Sequence, residues 1–117
     1  MSEAKMIFPK NAWYVAAFSE DLTHAPFGRT ILNEPLLFYR KNDGAVTALA
    51  DTCPHRLAPM SEGRLIGDCI ECPYHGLQFD SGGRCVLNPH APGTIPPKMQ
   101  LRRYPVVERH TLVWVWM

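Results

Sequence analysis

The sequence predicts an all-β domain of short antiparallel strands, on three observations. Eleven prolines and eight glycines in 117 residues favour a loop-rich, β-dominated chain over a helical one. Asn42-Asp43-Gly44 and Ser81-Gly82-Gly83 are turn sequences set between short apolar stretches, an arrangement that makes hairpins. Leu101 to Trp116 has the pattern of one further long hairpin. At this length a single hydrophobic core fills the molecule, so residues 1–117 are expected to form one domain.

Taken in order, Met1 to Asn11 is a polar lead-in and Trp13-Tyr14-Val15-Ala16-Ala17 a first strand. Ser19-Glu20-Asp21-Leu22 has the N-cap chemistry of a single helical turn. Gly28 to Leu32 and Pro35 to Arg40 are strands joined around Asn33-Glu34, with Leu36, Phe38 and Arg40 on one face and Leu37 and Tyr39 on the other. Asn42-Asp43-Gly44 turns the chain because Asp-Gly tolerates positive φ, and Ala45 to Ala50 returns. Arg56 to Gly67 is an irregular connector, and Ile66 to Cys72 a strand. Gly76 permits a tight turn, Leu77 to Asp80 and Arg84 to Leu87 form a hairpin, and Asn88 to Pro97 is loop. The final hairpin pairs Leu101 to Val107 with Thr111 to Trp116 about Glu108-Arg109-His110. Its second strand is apolar on both faces, which suits a strand covered on both sides. Leu112, Trp114 and Trp116 alternate with Val113 and Val115, so one face of the strand should serve the core while the other has no evident cover.

Composition excludes several classes of function. With 12 Lys+Arg against 11 Asp+Glu and a net charge of +1, there is no basic run and no aromatic-basic interleaving for nucleic acid. The apolar run Ala12 to Phe18 is too short for a membrane span or a secretory h-region. Four cysteines without an export signal fit a reducing compartment, with the cytoplasm as the expected location.

The chemistry concentrates in two stretches, Cys53-Pro54-His55 and Cys72-Pro73-Tyr74-His75-Gly76, with sixteen residues between His55 and Cys72. Each offers a thiolate and an imidazole, so two short loops, about 52–60 and 71–78, can present two sulfurs and two nitrogens to one metal centre. Such quartets hold zinc in closed tetrahedral sites, or a 2Fe–2S cluster with Cys₂ on one iron and His₂ on the other. In the second case two ferric ions, two sulfides and two thiolates sum to zero charge, so an electron is added more easily than to a four-thiolate centre. The potential rises accordingly, to about −150 to +300 mV against about −400 mV for plant-type ferredoxins. Cys69 makes a C-x-x-C spacing with Cys72, but strand alternation points it the other way, and it is expected to be a small buried hydrophobe.

Through Cys53-Pro54-His55-Arg56 with Ala58-Pro59, and Cys72-Pro73-Tyr74-His75-Gly76-Leu77, the chain resembles the Rieske family. Phe8-Pro9-Lys10-Asn11-Ala12-Trp13-Tyr14-Val15-Ala16 and Pro105-Val106-Val107-Glu108-Arg109 extend the resemblance to the N-terminal part of Rieske non-heme iron oxygenases. Within these it is most similar to the vanillate and dicamba O-demethylase oxygenase components. The resemblance implies a Rieske fold of antiparallel β-sheets, sandwich- or barrel-like, with a small cluster-binding subdomain. It implies a 2Fe–2S cluster on Cys53, His55, Cys72 and His75, the imidazoles ligating through Nδ1, with Arg56 and Tyr74 as supporting residues around it. Respiratory members brace the loops with a disulfide at positions occupied here by Ala58 and Tyr74, so that brace is absent.

The same resemblance implies an electron-transfer domain with no catalytic residue of its own. Its donor would be an NAD(P)H-dependent reductase or a ferredoxin, and its acceptor a mononuclear iron in a downstream catalytic domain outside this chain. No nucleic-acid or membrane partner is expected, and a homo-oligomer is possible on the family pattern. His24, His90 and His110 are isolated in sequence, and the last two are expected on surface loops. A complete stand-alone Rieske-type ferredoxin is the alternative, with a zinc-binding structural module the remote one.

Overall fold

The computed structural model describes residues 11–54, 59–73, 76–89 and 99–117. Its strands are β1 (Trp13–Phe18), β2 (Phe27–Ile31), β3 (Glu34–Arg40), β4 (Val46–Ala50), β5 (Arg64–Ile66), β6 (Cys69–Glu71), β7 (Gln78–Phe79), β8 (Cys85–Leu87), β9 (Arg103–Tyr104), β10 (Val106–Arg109) and β11 (Leu112–Trp116). Single 3₁₀ turns lie at Ser19–Asp21 and Met60–Glu62. The first falls where a helical turn was expected, although Ser19 does not cap it; Phe18 occupies that position without a side-chain bond.

Alternation along β3 organises the layers. Leu36 and Phe38 are buried with Ala16, Ala17, Ala48, Val113 and Val115 in one core. Leu37 and Tyr39, on the opposite face, are buried with Leu49, Ile70, Leu77 and Phe79 in a second. A period of two sends neighbouring residues to opposite faces, so the sheet β2-β3-β4-β9 is the middle layer. Sheet β1-β11-β10 covers one side and sheet β5-β6-β7-β8 the other. Every strand pairing among the described residues is antiparallel, in line with the expected fold of short antiparallel strands.

Four strand boundaries differ from the sequence-based expectation. The β2–β3 turn sits at Leu32-Asn33, both at positive φ (52° and 65°), which gives the strand twist that two-residue hairpins favour. Ile66 to Cys72 is not one strand: Gly67 at φ +62° and Asp68 reverse the chain, making the hairpin β5–β6 out of what looked like irregular connector. Leu101 to Val107 is likewise interrupted. Pro105 separates β9, which pairs with β4, from β10, which pairs with β11. Proline lacks the N–H that a continuous ladder needs, and the chain changes sheet there. The β10–β11 turn then falls at His110-Thr111, again with both φ positive.

β11 is the central strand of its sheet. Val113 and Val115 are fully buried, while Leu112, Trp114 and Trp116 are only partly covered, as the alternation predicts. The outer face of this sheet also carries Trp13, Val15 and Val107, all substantially exposed. Trp13 and Trp116 meet edge to face with centroids 5.3 Å apart.

Candidate metal centre

The first ligand loop leaves the end of β4 and is closed at its base. Thr52 and Pro59 form an antiparallel bridge, and the Met60 N–H donates to the Asp51 carbonyl at 3.3 Å. The Asp51 carboxylate accepts from the Ser61 N–H at 2.5 Å and from Ser61 Oγ at 2.6 Å. Burial raises the Asp51 pKa from the usual carboxylate value, and the Ser61 hydrogen bonds partly oppose that. Cys53 follows directly inside this closure with no exposed surface.

The second loop leaves the end of β6. The Cys72 N–H donates to the Leu77 carbonyl at 2.7 Å, and the Gly76 N–H to the Cys72 carbonyl at 3.2 Å. Gly76 takes φ +73°, a conformation that costs other residues strain, so the predicted tight turn is present. Cys72 is 2% exposed.

Cys53 and Cys72 therefore enter one and the same core, between the middle sheet and β5-β6-β7-β8. Neither is in a disulfide. Two cysteines from separate loops, converging in one apolar core, suit the thiolate half of a two-sulfur, two-nitrogen donor set. His55, His75, Arg56 and Tyr74 lie outside the described residues, as do Ala58 and most of the 88–97 loop.

The other cysteines are placed differently. Cys85 is buried in the same core with Sγ 3.5 Å from the Leu87 carbonyl, and burial pushes its thiol pKa up. Cys69 is half-buried rather than buried, which corrects the expectation. It alternates with the buried Ile70 along β6. Its thiol pKa is raised by burial first, then by the Asp80 and Asp68 carboxylates; neither thiol is in an environment that favours a thiolate. His24 donates through Nδ1 to the Arg40 carbonyl at 2.7 Å. His110 sits exposed in the β10–β11 turn, as expected, beside a pit of about 410 Å³ lined by Trp13, Val107, Arg109 and Trp114 on the outer sheet.

What sequence reading missed is the support under the loops. Asp51 and Ser61 are ten residues apart and carry no motif; only the 3₁₀ turn brings them together. Tyr39 and Asp68 are another such pair: the Tyr39 hydroxyl donates to the Asp68 carbonyl at 2.8 Å. The Asn42 N–H donates to Asp68 Oδ1 at 2.7 Å. These bonds pin the β5–β6 turn onto the middle sheet.

Comparison with known proteins agrees with this architecture. Residues 12–105 match the model of the Rieske [2Fe-2S] domain. The oxygenase component of dicamba O-demethylase from Stenotrophomonas maltophilia is 56% identical over 111 residues, which is 95% of this chain and 33% of that protein. The vanillate O-demethylase oxygenase subunit from a Pseudomonas species is 40% identical over 110 residues, 94% of this chain and 30% of that protein. A crystal structure of dicamba monooxygenase bound to dicamba superimposes with a TM-score of 0.91 at 55% identity, covering 95% of this chain and 33% of that one. The chain thus spans about a third of the length of these relatives. With its sheets, its two closed loops and its paired buried cysteines, the chain belongs to the Rieske [2Fe-2S] domain family.

Proposed function

We propose that Cys53, His55, Cys72 and His75 hold the family's 2Fe–2S cluster, the two cysteines on one iron and the two histidines on the other. The observation that carries this assignment is the convergence of Cys53 and Cys72, both buried and neither in a disulfide, in one core from two loops closed at their bases. When bound, the cluster supplies one-electron storage at a potential above that of all-cysteine ferredoxins. The chain's own residues hold it, withdraw its thiolates from water, and fix the loops. Arg56 and Tyr74, next to the ligand histidines in sequence, are proposed as supporting residues that tune the centre.

The domain then accepts electrons from an NAD(P)H-dependent reductase or a ferredoxin and delivers them to a mononuclear iron site in a catalytic domain outside this chain. The reaction proposed for the whole protein is a monooxygenation of an aromatic compound, with O-demethylation favoured by the two O-demethylase relatives. The partly covered face of Leu112, Trp114 and Trp116 supports a domain that works against further protein. Among the described residues no helix is long and apolar enough to cross a membrane, and four cysteines outside any disulfide suit a reducing compartment such as the cytoplasm.

The test is spectroscopic. Purified aerobically, the chain should be red-brown, contain iron and acid-labile sulfide in equal amounts, and give a reduced-state EPR signal of the mixed Cys/His type. A colourless protein carrying zinc would overturn the reading.

A further inference from the structure

We propose that Asp51 is a positioning residue for the first ligand loop: its buried carboxylate, clasped by Ser61, sets the direction in which the chain carries Cys53 toward the cluster. This rests on the cluster assignment above. Asp51 is 7% exposed and, with Thr47, one of two buried polar residues among those described. A carboxylate is costly to bury unless its oxygens are satisfied, and here both are: Ser61 gives its N–H to Oδ1 and its hydroxyl to Oδ2.

The backbone of Asp51 is fixed as well. Its N–H donates to the Pro35 carbonyl at 3.0 Å and its carbonyl accepts from Met60. β2 closes over the clasp, since a Cβ at Gly28 would lie 2.8 Å from Ser61 Oγ and 3.2 Å from Asp51 Oδ2. Only a glycine leaves room for that approach. In the second ligand loop, the ligand cysteine's own N–H and carbonyl close the turn. In the first, a side-chain clasp lies two residues before the ligand cysteine, between Asp51 and Ser61.

A clasp that merely stabilised the fold would behave like any other core contact. A positioning role predicts more: geometry at the metal should follow the hydrogen bonds and not the charge. Asn at position 51 can still accept the Ser61 N–H through its amide oxygen and donate its amide N–H to Ser61 Oγ. Asp51→Ala and Ser61→Ala cannot keep the paired bonds.

The experiment compares Asp51→Ala, Asp51→Asn and Ser61→Ala with Val115→Ala, a truncation in the other core. The readouts are the rate of iron release to a chelator and the g-values of the reduced protein. Asp51→Ala and Ser61→Ala should release iron at least about tenfold faster, the usual scale for losing a partner that orients a metal ligand, with shifted g-values. Asp51→Asn should stay within about twofold of wild type, and Val115→Ala should lose stability with unchanged g-values. Release at the wild-type rate in Asp51→Ala overturns the proposal, as does an Asp51→Asn variant as defective as Asp51→Ala. If Asp51→Ala does not accumulate folded, Ser61→Ala decides by the same criteria. A wild-type protein without the mixed Cys/His signal would instead defeat the cluster assignment, so the two failures are distinguishable.

Discussion

Arg40 grips Glu108 with both ends of its guanidinium, Nη1 donating to Oε1 at 3.0 Å and Nη2 to Oε2 at 2.5 Å. The pair joins β3 of the middle sheet to β10 of the outer one. Arg40 also donates to the carbonyls of Leu22, Gly44 and Ser19, so all of the guanidinium's donors are engaged. Arg40→Ala should therefore cost about 2 kcal/mol, since it leaves three carbonyls short of a partner as well as the carboxylate. Glu108→Gln should cost less than about 1 kcal/mol, because the carboxylate is more than a third exposed and screened by solvent. Urea midpoints at neutral pH separate the two. Equal losses would show that the carboxylate, rather than the carbonyl contacts, dominates.

The same pair fixes a pH dependence. Arg40 holds the Glu108 carboxyl down at about 2, from an ordinary value of 4.5. A depressed folded pKa contributes stability that is present above the unfolded value and lost as pH falls toward the folded one. Wild type should thus lose this increment between about pH 4.5 and 2, with a shallower slope in Glu108→Gln. Stability curves of the two proteins that stay parallel across that window would refute the coupling.

At the alkaline end Tyr39 has the opposite role. Burial raises its hydroxyl pKa well above the ordinary range, followed by the nearby charges of Cys69, Asp68 and Asp80. A raised folded pKa gives stability that is complete below the unfolded pKa of 10.0 and lost as pH climbs through and beyond it. Tyr39→Phe should cost about 1 kcal/mol at pH 8, from the lost bond to the Asp68 carbonyl. It should also flatten the decline of stability above pH 10. Some decline should persist, because Tyr104 is likewise raised to about 12. Denaturant midpoints from pH 8 to 11 test both parts.

Much of this fold was legible because each face of a strand leaves its own mark. Leu36 and Phe38 alternate with Leu37 and Tyr39, and the structure buries the two sets in separate cores, just as Val113 and Val115 alternate with Leu112, Trp114 and Trp116 and go inside. The spacing of Cys53 and Cys72 suggested that two loops meet, and the structure buries both in one core. The β5–β6 hairpin was not, because a Gly67-Asp68 turn inside an apolar run resembles a strand until its partner is known. Pro105 hid a change of sheet for the same reason: where the freed strand pairs is a long-range choice. Asp51 with Ser61, and Tyr39 with Asp68, are contacts of tertiary structure that no local pattern announces.

The cysteines give a direct test of the ligand assignment. Cys53→Ser and Cys72→Ser should lose the chromophore, because each removes a thiolate from the same iron. Cys69→Ser and Cys85→Ser should keep it. Cys69 is half-buried in β6 and costs little, whereas Cys85 is buried beside Leu87 and its replacement should cost about 1 kcal/mol by burying a hydroxyl with a different bond length. Iron and acid-labile sulfide are assayed in all four. A cluster lost only in Cys69→Ser would reassign the site.

Two glycines with nearly the same backbone angle separate strain from collision. Gly44 has φ +89° and Gly83 φ +90°, so an alanine at either meets the same left-handed penalty, about 1–2 kcal/mol. A Cβ at Gly44 would face open space, whereas at Gly83 it would lie 2.1 Å from the Leu101 carbonyl oxygen. That carbonyl cannot withdraw freely, because the Leu101 N–H donates to the Gly83 carbonyl at 2.7 Å and Arg84 bridges Gln100. The contact ties the β7–β8 turn to the segment leading into β9, and so the loop-bearing sheet to the middle one. Gly44→Ala should remain a folded, coloured protein that is less stable by about 1–2 kcal/mol. Gly83→Ala should lose that amount and at least another ~1–3 kcal/mol from overpacking, with faster loss of colour as the ligand core loosens. Thermal melts and the decay of visible absorbance, measured on both variants, decide it: equal effects at the two positions would mean that the Leu101 contact yields without cost.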